Sequence, residues 1–158
     1  MMFVLAPLLF FLASLPRLSL AADAILPSAE VSRFLEEHGL PGGLLPNLVT
    51  SYSLRDNNST FVVHLQHECY HRFENLVWYG TTISGKLGYG KIENLSGIQA
   101  KEFFLWLGVT GIRVDESNRD YIYFEVGIVS KRLRASLFRD PPSCSKSSGS
   151  LVDLHEAI

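Results

Sequence analysis

The sequence predicts a mainly β protein, an antiparallel β-barrel with one N-terminal α-helix packed on it. Short segments between residues 48 and 128 alternate apolar and polar side chains, the period of half-buried strands, and turn residues separate them. Helical spacing is clear near residue 31, and Val62, Leu65, Cys69, Phe73 and Leu76 also fit it. Hydrophobic residues make up 47% of the 158-residue chain and charged residues 19%, which suits one globular core and leaves too little chain for two.

The helix is expected to begin at Pro27-Ser28, with Ser28 as N-cap, and to end at Gly39. Val31, Phe34 and Leu35 share its apolar face. The run Leu40-Pro41-Gly42-Gly43-Leu44-Leu45-Pro46 reads as a turn with inward side chains. Leu48, Thr50, Tyr52 and Leu54 then alternate, residues 55–59 form a polar turn, and Phe61, Val63 and Leu65 leave it. Thr82, Ser84 and Lys86 oppose Ile83 and Leu87, and Ile122, Phe124, Val126 and Ile128 repeat the pattern. Phe103-Phe104-Leu105-Trp106-Leu107 is apolar on both faces. It reads as a strand buried on both sides, with the early helix over its outer face.

Residues 1–20 form an apolar run broken by Ser14, Pro16, Arg17 and Ser19, and Ser19-Leu20-Ala21 offers small residues where signal peptidase reads. The reading is a cleaved signal peptide over residues 1–21, a single barrel domain over 22–144 and a disordered tail over 145–158, in a secreted, extracellular protein. No later segment is long and apolar enough for a transmembrane helix. Acceptor triplets for N-glycosylation begin at Asn57, Asn58 and Asn94. Cys69 and Cys144, two cysteines in an oxidising compartment, are expected to pair. A net charge of −2, with scattered basic residues, leaves no electrostatic footprint for nucleic acid.

Further blocks carry a family resemblance. They are Gly39-Leu40-Pro41-Gly42-Gly43-Leu44-Leu45-Pro46, Cys69-Tyr70, Ser84-Gly85-Lys86-Leu87-Gly88-Tyr89-Gly90-Lys91 and Leu95-Ser96-Gly97-Ile98-Gln99. Phe104-Leu105-Trp106-Leu107, Ile122-Tyr123-Phe124-Glu125-Val126-Gly127 and Pro141-Pro142-Ser143-Cys144 complete the set. From about residue 30 to 144 the chain resembles a plant family known as domain of unknown function 538 (DUF538). The resemblance implies an antiparallel barrel with a helix, similar in outline to lipid-binding tubular folds, with no established activity and no agreed site; no cofactor is expected.

The sharpest chemical motif is His67-Glu68-Cys69-Tyr70-His71, which fits H-E-x-x-H. A helix would bring His67 and His71 to one zinc ion, whereas a strand sets them about 13 Å apart. Strand-end histidines are the favoured reading, with no catalytic residue assigned and His64 on a solvent-facing strand. Glycines 85, 88 and 90 match no nucleotide fingerprint and suit a curling strand. The expected function is a non-enzymatic binding module for an amphiphilic or lipid-like ligand. Phe61, Val63, Leu65, Ile83, Leu87, Ile122, Phe124, Val126 and Ile128 would line its interior. The cavity is expected to hold roughly 300 Å³ or more and to open near residues 85–90. Alternatives are a cell-wall polysaccharide binder with an exposed aromatic row that includes Tyr79 or Tyr121, and a zinc-dependent hydrolase.

The exported protein is predicted to begin at Ala22 and to carry glycan on Asn57 or Asn58. N-terminal sequencing and glycosidase digestion of protein from the medium check this, and an intact Met1 contradicts it.

Overall fold

The computed structural model describes residues 26–147 and residue 149. The expected signal peptide and most of the expected tail lie outside the described residues. The order of elements is one helix, α1 (Pro27–Glu37), a 3₁₀ turn (Gly42–Leu44), eight strands and a second 3₁₀ turn (Ala135–Phe138). The strands are β1 (Val49–Arg55), β2 (Thr60–Leu65), β3 (Cys69–Arg72), β4 (Leu76–Gly88), β5 (Lys91–Glu102), β6 (Leu105–Val114), β7 (Tyr121–Val126) and β8 (Val129–Arg134).

All ladders are antiparallel, in the order β1-β2-β4-β5-β6-β7-β8. β3 pairs with the first residues of β4, along the edge that β2 occupies further on. The sheet is therefore open, where the sequence predicts a closed barrel. The two end strands explain the difference. β1 buries only Val49, while β8 reads Val-Ser-Lys-Arg-Leu-Arg, and charged or polar edge strands resist further pairing.

Non-strand segments occupy the space between those edges. α1 packs on β1 and on the first 3₁₀ turn, which meets the second 3₁₀ turn, itself following β8. Val31 and Leu35 are the buried residues of α1. Leu26 rather than Ser28 is its N-cap, and Pro27 takes the first helical position, where a missing N–H costs nothing. The Ser28 hydroxyl instead accepts a bond from the Val49 amide (3.1 Å), which ties the helix start to β1. Gly39 ends the helix at φ +72°, with Leu40 N–H donating to the Leu35 carbonyl at 3.0 Å, the bond of a Schellman cap.

One hydrophobic cluster joins the helix, the turn around Leu44 and strands β1 to β7. Phe61, Val63, Leu65, Ile83, Leu87, Ile122 and Val126 are buried in it, and Phe124 is half-buried against it. Ile128 is fully exposed, because Gly127 at φ +59° turns the chain between β7 and β8 and ends the alternation. Bulges bend the long strands β4 and β5. At one of them Gly97 has φ +90°, and a Cβ there would collide with the Thr82 carbonyl.

Phe103-Phe104-Leu105-Trp106-Leu107 departs from expectation most. Residues 103 and 104 are the turn between β5 and β6, and Phe103 and Phe104 are each 92% exposed. Nothing on the helix covers them, since α1 lies at β1.

Cys69 and Cys144 form a disulfide. Beside it the amides and carbonyls of Tyr70 and Ser145 pair at 2.8 and 2.9 Å, so the tail is held as far as Ser145. The bridge spans 75 residues, for which chain entropy gives up to about 4 to 5 kcal/mol. Cys69→Ala/Cys144→Ala is predicted to lose most of that in urea unfolding, and a loss under about 1 kcal/mol contradicts the tie.

Candidate functional site

The polar residues that converge on the apolar interior do so at the end of the sheet away from residues 85–90. Asn75 lies in the turn between β3 and β4, which Phe73 N–H closes on the Asn75 carbonyl at 3.1 Å. Glu102 is the last residue of β5, and Lys131 is on β8 opposite Phe124. Three chain segments thus deliver one amide, one carboxylate and one ammonium to a single point.

Lys131 Nζ donates to Glu102 Oε1 at 2.6 Å and to Asn75 Oδ1 at 2.9 Å. Asn75 Nδ2 donates to Glu102 Oε1 at 3.1 Å and to the Lys101 carbonyl at 2.9 Å. The Glu102 side chain is only 15% exposed and that of Lys131 31%, so this pair is shielded more than a surface ion pair.

Behind this trio is a narrow apolar cavity of about 50 Å³. Phe73, Val77, Ala100, Phe124, Leu133 and Phe138 are among its walls. Phe138 is the wall that the 3₁₀ turn supplies. Its ring lies 4.7 Å from Phe73 and 4.9 Å from Phe124. Tyr79 is buried deeper in the same wall, and its hydroxyl donates to the Leu44 carbonyl at 3.3 Å. Burial pushes the Tyr79 phenol well above its ordinary range.

Of the nine residues proposed as an interior lining, Phe124 and Val126 reach this cavity. Phe61, Val63, Leu65, Ile83, Leu87 and Ile122 are core residues elsewhere, and Ile128 is at an exposed turn. The cavity is thus far smaller than the roughly 300 Å³ expected and lies at the opposite end from residues 85–90, where the surface hollow is lined by Tyr89, Lys91, Arg113, Asp115 and Glu116. The Gly90 amide there donates to the His38 carbonyl at 2.6 Å, and Arg119 Nη2 to the Gly39 carbonyl at 3.0 Å, which seals that turn onto the helix.

The other candidates separate. The segment 67–71 enters strand β3 and forms no helix, so His67 and His71 are not presented on one face as H-E-x-x-H requires. His67 Nδ1 lies 2.6 Å from the Glu68 carbonyl and His71 Nδ1 2.8 Å from the Ser143 carbonyl. Among the described residues no three His, Cys, Asp or Glu side chains cluster as metal ligands. His64 is exposed, 3.3 Å from the Thr82 hydroxyl. Tyr79 is buried, and the Arg132 guanidinium lies 3.5 Å over one face of the half-buried Tyr121 ring. Below Arg132, Asp115 is held under the usual carboxylate range by hydrogen bonds from the Ser117 hydroxyl and amide. Asn57, Asn58 and Asn94 are all exposed, the first two in a turn at φ +56° and +65°.

The family model described as a protein of unknown function, DUF538, matches residues 31–139. The chain belongs to the DUF538 family. An uncharacterized protein of Arabidopsis thaliana is 29% identical over 102 residues, which are 63% of this chain and 58% of that protein. The matched DUF538 region contains Asn75, Glu102 and Lys131 together with every named wall of the cavity. No short motif could have announced the trio, since its members lie 27 and 29 residues apart in sequence and meet only through strand pairing.

Lys131→Ala leaves the shielded Glu102 carboxylate without its cation and is predicted to cost about 1 to 3 kcal/mol in urea unfolding. Glu102→Gln/Lys131→Met, which removes both charges, should recover at least half of that loss. Equal losses in the two variants contradict the pairing.

Proposed function

We infer that this DUF538 protein is a secreted, non-enzymatic binding module for an amphiphilic or lipid-like ligand, and that the ligand enters past Asn75, Glu102 and Lys131. The observation that carries the reading is an apolar cavity ending in a convergent polar trio, the combination that fixes an apolar body and a polar head. Lys131 has three ammonium protons and uses two within the trio, leaving one for a ligand oxygen.

Size limits the ligand. About 50 Å³ is well below the roughly 300 Å³ at which drug-sized pockets begin, so the cavity takes the end of one narrow chain. A longer guest displaces Phe138, the wall that comes from a short 3₁₀ turn rather than from the ladder. The disulfide and the Tyr70–Ser145 pairing then act as the anchor against which that turn moves.

Mass spectrometry of organic extracts from protein secreted by plant cells tests the reading. An amphiphile near one equivalent is expected for the native chain and should be lost from Ala100→Leu, which fills the cavity floor. That variant should keep native stability within about 1 kcal/mol, because added methyl groups in an existing void cause less strain than in a packed core. Extracts free of any bound compound, or a compound retained equally by Ala100→Leu, overturn it.

A further inference from the structure

The apolar residues exposed at the same end of the sheet form a second feature, and it stands apart from the cavity reading. Phe103 and Phe104 project from the β5–β6 turn, followed by Leu105 at 64% exposure. The next hairpin turns at the same end, set back along β6: Val109 pairs with Val126 and the Gly127 amide donates to the Gly108 carbonyl at 3.2 Å, so exposed Ile128 and Val129 follow the first tip by the length of Leu105–Leu107. Residues 103–110 contain no charged side chain. Large apolar side chains that converge on one end of a soluble domain mark an interaction surface.

We propose that these two hairpin tips insert into the interfacial layer of a zwitterionic lipid bilayer. The shape selects a fluid partner. Phe103 and Phe104 protrude from a convex turn, so a rigid protein would need a matching socket around both rings, whereas lipid chains part around a knob. Phe103 also adopts φ +54°, a conformation costly for an aromatic residue, and the turn thereby presents both rings outward.

Below the tips the side chains change in the order a membrane interface requires. Trp106 comes first, its ring 6.0 Å from that of Tyr70 in an edge contact, with Lys101 Nζ 5.9 Å from the indole centre. Trp and Tyr favour the headgroup level, and a lysine stem reaches out of the apolar layer with its charge in water. The surrounding charges are mixed. Lys101 and Arg72 stand against Glu74, Glu125 is paired with Arg113 at 3.7 Å, and Glu102 is neutralised by Lys131. A surface with both signs suits a zwitterionic headgroup layer rather than an anionic one.

The test is sedimentation of the full chain, secreted from plant cells, with large phosphatidylcholine vesicles. The variant Phe103→Asn/Phe104→Ser removes both rings, and asparagine tolerates the positive φ at position 103, so circular dichroism should be native. Native protein is expected to partition onto the vesicles, and the variant at least about tenfold more weakly. In a Trp78→Phe background, emission from Trp106 should shift to the blue with vesicles and be quenched by brominated lipid chains. Any one of three results overturns the proposal. One is native protein that stays in the supernatant. The second is unchanged binding of the double variant. The third is vesicle-independent self-association that the same substitutions abolish, which would assign the tips to a second copy of the chain.

Discussion

An open antiparallel sheet that curls around its own apolar face leaves a gap between its end strands, and that gap has to be closed by something other than a strand. Here the closing parts are α1, the turn around Leu44 and the 3₁₀ turn ending at Phe138. Each is fastened to the sheet by a specific interaction. Ser28 holds the Val49 amide, Tyr79 holds the Leu44 carbonyl, and the disulfide from Cys69 holds the chain after Phe138. The wall of the interior made by non-strand residues is therefore the part that no ladder fixes. Strand walls are fixed by ladders, on both sides for Val77, Ala100 and Phe124 and on one side for Leu133, while Phe138 is held by ring contacts and by the chain on either side of it.

The same construction gives the molecule two different ends. Toward residues 85–90 the β4–β5 turn is bonded to the C-terminus of α1. Toward residues 102–105 three turns meet, and they carry the polar trio and the uncovered aromatic tips. Apolar surface at the rim and a polar latch over an apolar hollow are compatible tasks for one end, because the first concerns side chains pointing away from the sheet and the second those pointing into it.

Much of the fold was legible along the chain. Alternation identified β2, β4 and β7 and their buried members, because each has one face in the core and one in water. Gly39 marked the helix end, and the pairing of Cys69 with Cys144 followed from their being the two cysteines present. The misreading of residues 103–107 has a physical cause. Hydrophobicity in a short window predicts burial, but burial depends on what the register places over a residue, and at a hairpin tip nothing lies there. Ile128 failed in the same way, one residue past the point where Gly127 breaks the alternation. Barrel closure depended on β1 and β8, whose polar composition argued against pairing but carried no weight beside the regular pattern of the inner strands. The trio of Asn75, Glu102 and Lys131 was invisible because each member is ordinary in its own neighbourhood.

Crystallography of the protein, expressed in plant cells and purified without detergent or organic solvent, tests the binding account most directly. The account predicts elongated density between Phe73, Phe124 and Ala100, a polar end within hydrogen-bond distance of Lys131 Nζ, and a displaced Phe138 ring. A hollow without density, with Phe138 still in contact with both Phe73 and Phe124, would contradict it.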